Sequence, residues 1–142
     1  MDIATLFPKA VAWAEGQSSL ILEKGRVLTP EEIEAARNAG VQHPEQVRIC
    51  EVSQLPQPED EGLREAAHSL GLLNPTMIGL TLGHGIYIVK GNETSIPHEL
   101  RHVYQFEQLG SISNFLTVYI QELLKFGYTH APLEVDASKY NL

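Results

Sequence analysis

The residues best suited to chemistry are His98, Glu99 and His102, set as His98-Glu99-Leu100-Arg101-His102, with Glu134 downstream. On a helix, positions i and i+4 lie one turn apart on the same face, so His98 and His102 can offer two imidazoles to one ion. Glu99 projects about 100° around from His98, which sets its carboxylate beside such an ion rather than on it. Zinc at a catalytic site takes three protein ligands and leaves one position for water. Two histidines and a later carboxylate supply the three, and Glu99 can take a proton from the water. Glu134 is the candidate third ligand, with Asp136 and His130 as alternatives for that place. A carboxylate at Glu134 also suits the start of a short helix through the helix dipole, so a capping role competes with the ligand role.

These residues need elements to hold them. Ser95 is placed to cap the histidine helix, Pro97 is tolerated in its first turn, and Gly110 suits its end. Leu100, Val103, Phe106 and Leu109 recur with helical spacing and give it a buried stripe. Ser111 or Ser113 then caps a second helix running to about Phe126, with Phe115, Leu116, Tyr119, Ile120, Leu123 and Leu124 on one side as core packing, and Gly127 stops it. Pro132 opens the last short helix, which carries Glu134. Ahead of the histidines, residues 76–90 are rich in Ile, Leu, Thr, Tyr and Val and read as one or two strands, with a tight turn around Gly83-His84-Gly85.

The first half of the chain reads as support. Residues 2–23 have apolar residues near helical spacing, with Trp13 anchoring the helix on the core and Gly25 ending it. Thr29-Pro30-Glu31-Glu32 is a helix start in which Thr29 caps and Glu32 reaches back, and Ala39-Gly40 is the stop. Val47 to Val52 alternates as a strand. Its Cys50 is a small core thiol by this reading, the competing role being a cap on zinc in a latent form. Residues 53–60 form a proline-bearing connector, and 61–71 a helix ending at Gly71 with a partly buried His68. The expected fold class is α+β: a small antiparallel or mixed sheet carrying several helices, with the metal between the two late helices.

A length of 142 residues suits one domain over 1–142, with N-terminal helices and a strand in 1–70 and the metal-site half in 76–140. Lys and Arg total 10 against 18 Asp and Glu, for a net charge of −8, so no basic stripe is present for nucleic-acid phosphates. One cysteine rules out an internal disulfide framework and fits a reducing compartment. The N-terminus shows no basic region followed by an apolar run, and no stretch reaches membrane-spanning length. The expectation is a soluble, cytoplasmic protein.

Three stretches also carry a family likeness: Gly79 to Val89, His98 to Gln105, and Pro132 to Ala137. Together they resemble the gluzincins, zinc peptidases whose H-E-x-x-H helix is completed by a glutamate on a later helix; here 31 residues separate His102 from Glu134. The nearer likeness is to small bacterial zincin-like proteins of uncharacterised function, with a glycine-bearing strand, an H-E-L-x-H-V-x-Q helix and a P-x-E-x-[DE]-A segment. The resemblance covers residues 76–140 and implies zinc at His98, His102 and Glu134, Glu99 as general base, a peptide substrate, and the strand before the metal helix as its backbone partner. One position departs: where many gluzincins carry an aspartate that orients the first histidine, this chain has Ser138. Tyr128, His130 and Tyr140 are the available donors for an oxyanion. The competing reading keeps the zinc without turnover, as a binding or latent module blocked by the N-terminal segment. The small size favours that reading, because little mass is left to wall a deep cleft.

Overall fold

A computed structural model describes residues 2–142. Six α-helices and a three-stranded mixed sheet make an α+β fold. In chain order these are α1 (Ile3–Lys24), α2 (Pro30–Asn38), β1 (Arg48–Val52), α3 (Glu61–Ser69), β2 (Gly79–Leu82), β3 (Gly85–Val89), α4 (Ile96–Leu109), α5 (Ile112–Phe126) and α6 (Pro132–Ser138). Among the described residues no helix is long and apolar enough to cross a membrane.

The sheet order is β1-β3-β2, with β1 parallel and β2 antiparallel to β3. The two-residue turn Gly83-His84 joins β2 to β3 and pairs Leu82 with Gly85, Gly83 taking the positive φ of 69° that such a turn demands. The alternation of β3 then divides the core. Ile86 and Ile88 join Val47, Ile49, Leu100 and Val103 in one cluster, under α2 and α4. Tyr87, pointing the other way, joins Ile21 of α1 with Leu55 and Leu73. Helix α1 comes so close to the sheet that a Cβ at Gly85 would stand 2.9 Å from Ile21 Cβ. A third cluster, Phe106, Phe115, Tyr119, Leu123 and Ala131, ties α4 to α5 and to the residue before α6.

The edges of the sheet differ. Arg26 exchanges two backbone hydrogen bonds with Ile49 and covers the outer side of β1. Among the described residues no strand covers β2. The expectation that the strand directly before the metal helix could pair with a peptide is therefore corrected: that strand, β3, is central and paired on both sides, and the edge strand is β2.

Three local readings also change. Ser95 does not cap α4; its hydroxyl donates to Asn92 O at 2.8 Å because a short 3-10 turn (Glu93–Ser95) runs straight into the helix. Leu124 is exposed, lying off the Phe115–Tyr119–Leu123 line that faces α4. His68 is exposed too, and its Nε2 stands 2.8 Å from Gln57 Oε1 on the preceding connector. The predicted capping box at Thr29 and Glu32 is present in full, and of the two serines offered for α5 it is Ser111 that accepts from Asn114 N.

Candidate metal centre

Helix α4 lies against the sheet through Leu100 and Val103, which turns His98, Glu99 and His102 toward β2, α5 and α6. Glu134 comes from the opposite side, in the first turn of α6. His98 Nε2 lies 3.2 Å from Glu134 Oε1, and His102 Nε2 lies 3.2 Å from Glu134 Oε2. The donor atoms of the three residues all lie within 4.8 Å of one another, and the cluster could hold a metal ion. Cys50 has no part in it: it packs with the cluster around Ile21 and Tyr87, where burial raises its thiol pKa.

Each imidazole is fixed from behind. His98 Nδ1–H donates to Asn141 Oδ1 at 2.8 Å, and His102 Nδ1–H donates to Gln105 Oε1 at 2.7 Å. The orientation of the Gln105 amide is itself determined, because its Nε2 donates to Leu133 O (3.0 Å) and to Asp136 Oδ2 (2.9 Å). Only Oε1 is left to face His102. Both rings thus present Nε2 to Glu134, the arrangement that a metal-binding histidine needs. For His98 the bracing residue is Asn141, from beyond the end of α6. Glu134 is held in turn by Tyr119, whose hydroxyl donates to Oε2 at 2.6 Å.

Glu99 stands apart from the donor set. It is buried, 6% exposed, and its Oε1 accepts a hydrogen bond of 2.8 Å from Thr81 Oγ1 on β2. Gly79, two residues earlier on the same face of β2, makes room for it: a Cβ there would lie 2.8 Å from Glu99 Oε2. Burial pushes the Glu99 carboxyl up, opposed by the two imidazoles. Burial also disfavours charge on His102, but the carboxylate of Glu134 outweighs it and holds that imidazole at about 9. His98 is raised by the same balance. Glu134 shows the reciprocal effect: burial works to raise it, and the hydrogen bonds from His102 and His98 hold it well below the usual carboxylate range. The Glu134 carboxylate thus favours protons on the imidazoles, and a cation bound there would displace them.

The alternatives weighed for the third ligand lie elsewhere. Asp136 forms a two-pronged ion pair with Arg101, Nε to Oδ2 at 2.7 Å and Nη2 to Oδ1 at 3.3 Å. His130 is exposed and outside the donor cluster. Of the three residues offered as oxyanion donors, Tyr140 packs against the Arg101 guanidinium, 4.9 Å from its ring centroid, and only Tyr128 lines the space beside Glu99 and His98. Of the four residues that hold the centre, Thr81, Gln105 and Asn141 have no assigned role in the sequence, and Tyr119 reads there as core packing. Tyr119 and Gln105 left a trace, one as a hydroxyl inside an apolar stripe and the other three residues beyond His102. Thr81 and Asn141 left none, since their partners are distant in the chain.

Two spaces meet at the centre. A polar outer cleft of about 430 Å³ runs past Thr76, Met77, Ile78, Thr94, Ser95 and Asn141. An apolar inner cavity of about 140 Å³, itself partly open, adjoins it where α1, α3 and α5 come together. Met77, Gly79, His98, Glu99 and Tyr128 line both. The expectation that so short a chain leaves little mass to wall a cleft is thus corrected. Helix α1 walls the inner cavity, and none of its residues lines the outer cleft. Comparison with protein families, with curated proteins and with solved structures finds no match to this chain.

Proposed function

We propose that this chain is a zinc-dependent peptidase of gluzincin type. The observation that carries the reading is the division of the carboxylates: Glu134 converges with His98 and His102, while Glu99 is buried alongside and anchored to Thr81 instead. His98 Nε2 and His102 Nε2 each stand 3.2 Å from a Glu134 oxygen, one at Oε1 and the other at Oε2, and the donor atoms lie within 4.8 Å of one another, close enough to share one ion. Two imidazoles and one carboxylate also suit zinc in type and leave a coordination position for water. A structural zinc site would call for a fourth protein ligand, and the cluster among the described residues offers three.

Bound zinc would supply an acidified water and polarise the scissile carbonyl. Glu99 accepts the proton of the attacking water on its carboxylate and returns it to the leaving amine. Thr81 fixes the carboxylate through Oε1, which leaves Oε2, over the bare backbone of Gly79, as the working oxygen. Tyr128, whose pKa is raised by burial and by the charges of Glu134 and Glu99, stays protonated and donates to the developing oxyanion. An extended peptide runs through the outer cleft beside residues 76–79, which lead into the edge strand β2.

The test is Glu99→Gln, which preserves the acceptor for Thr81 and removes the base. Wild type should bind one zinc per chain and cleave members of an unbiased peptide library; the variant should bind the same zinc and cleave about 100- to 10,000-fold more slowly. Equal rates would remove Glu99 from the chemistry. Zinc binding without cleavage by the wild type would favour the non-catalytic module.

A further inference from the structure

The inner cavity is unusual in where its polar groups lie. Leu6, Phe7 and Trp13 of α1, Leu63 of α3, and Phe115 and Leu116 of α5 give it an apolar wall. Apart from the Trp13 indole, the polar side chains that line it are the members of the metal centre and the three that adjoin them, Thr81, Tyr119 and Tyr128. Interiors are ordinarily close-packed, and a void forfeits the dispersion contacts of everything that lines it. Here the space is left by small residues, Ala10 and Ala14 on α1 and Ala66 and Ala67 on α3, which stand where larger apolar side chains would close it.

We propose that this cavity receives a phenyl-sized apolar side chain of the peptide held at the metal centre, so that α1 and α3 set the substrate class. The proposal rests on the peptidase reading. Size points to the occupant: an apolar cavity of about 150 Å³ takes up benzene, and this one is about 140 Å³. Access points the same way. The five residues shared by cleft and cavity include Gly79, which carries no side chain, and Met77, a flexible one; a backbone lying in the cleft can send one side chain between them. A charged or amide side chain would find only the Trp13 indole N–H beyond the centre itself, and most of its desolvation would go uncompensated. The pocket is built from residues 1–73 as well as from the metal-site half, so it is not implied by the stretches that carry the family likeness.

The test uses the zinc-loaded full chain and two chelating probes, acetohydroxamate and 3-phenylpropionohydroxamate, with affinities measured by calorimetry. Burying the phenyl group should tighten binding about 30- to 100-fold over acetohydroxamate. Ala67→Leu and Ala10→Leu, which fill the cavity from two different helices, should each erase most of that gain while acetohydroxamate binds as before. Circular dichroism of each variant checks that it is folded, and two variants guard against one failing. Tight acetohydroxamate binding with no phenyl gain would overturn the pocket and leave the metal centre standing. A gain that survives both substitutions would place the phenyl group elsewhere and equally overturn it. Failure of both probes to bind would sink the metal reading, and the proposal with it. Toluene uptake by the metal-free chain, followed by methyl NMR shifts of the lining leucines, is the metal-independent check: uptake by wild type and not by Ala67→Leu supports the pocket, and no uptake by wild type overturns it.

Discussion

Helix α4 carries a histidine–carboxylate cluster at each end, and the two are built to opposite purposes. At the N-terminal end, His98, His102 and Glu134 turn their donor atoms toward one another, and the outer nitrogen of each ring is occupied by an amide oxygen. At the C-terminal end, Glu107 receives the backbone N–H of Gln42 (2.8 Å) and of His43 (3.1 Å) and stands 2.9 Å from His84 Nε2. Its carboxylate is spent on tying the end of α2 and the β2–β3 turn to α4. The residue types are the same, so composition cannot tell a site from a strap. What separates them is where the remaining hydrogen-bonding capacity goes: in the first cluster it braces the rings from outside, and in the second it is used up from within.

Breaking the first cluster should abolish the ion. His102→Ala and Glu134→Ala should each lose bound zinc entirely at micromolar metal by elemental analysis, since two remaining donors rarely hold zinc at a catalytic-type site. Cys50→Ser should retain it; a loss there would move the centre toward a structural role. The next largest effect tests the bracing. Gln105→Leu removes the acceptor behind His102 without touching a ligand, and zinc affinity measured by competition with a chromogenic chelator should fall about 10- to 100-fold. An unchanged affinity would mean that the amide is packing only.

The second cluster should answer in stability instead. Glu107→Ala removes the acceptor of two exposed backbone donors that water can then reach, and a hydrogen bond of this kind contributes about 0.5–1.5 kcal/mol, readable as a lower urea midpoint with zinc stoichiometry unchanged. Lost zinc in this variant would dissolve the contrast between the two ends. The smallest effect sharpens it with a carboxylate remote from both. Glu32 is held below its ordinary 4.5 by its hydrogen bond to Arg26, against the opposing effect of burial. Its folded pKa is the lower one, so its contribution is present above about 4.5 and fades as pH falls through the folded value. Glu32→Gln should therefore destabilise by less than about 1 kcal/mol at pH 7, and the gap to wild type should narrow below pH 4.5. Zinc binding should not change.

The sequence was most legible where structure is local. Thr29 and Glu32 sit three apart, and their reciprocal bonds form within one turn of helix, so the box could be read directly. The same holds for the histidine pair on α4. Ser95 misled because a serine ahead of a helix has a second option: the 3-10 turn before α4 gave its hydroxyl a carbonyl to donate to. The groups that brace the centre were harder to find. Thr81 meets Glu99 across 18 positions, and Asn141 meets His98 across 43. No periodicity encodes such pairs, which exist only once the sheet and the last helix have docked. The inner cavity was illegible for a related reason, since an alanine reads the same whether it fills a gap or leaves one.

The two-residue turn at Gly83-His84 has a consequence for how this chain can tolerate insertions and deletions. Side chains alternate along β2, and it is the present register that points Gly79 and Thr81 at Glu99. One residue gained or lost in that turn, with β3 left in place, would swing Leu80 and Leu82 into their positions and trade a hydroxyl donor for a branched hydrocarbon. The connector over residues 53–60 sets no such alternation: an addition there would disturb the packing of Leu55 and the bonds of Gln57 to Leu73 O and His68, without exchanging the face that β2 turns to Glu99. Near residue 57 a change of length costs local packing, but at residue 83 it decides which side chain faces Glu99.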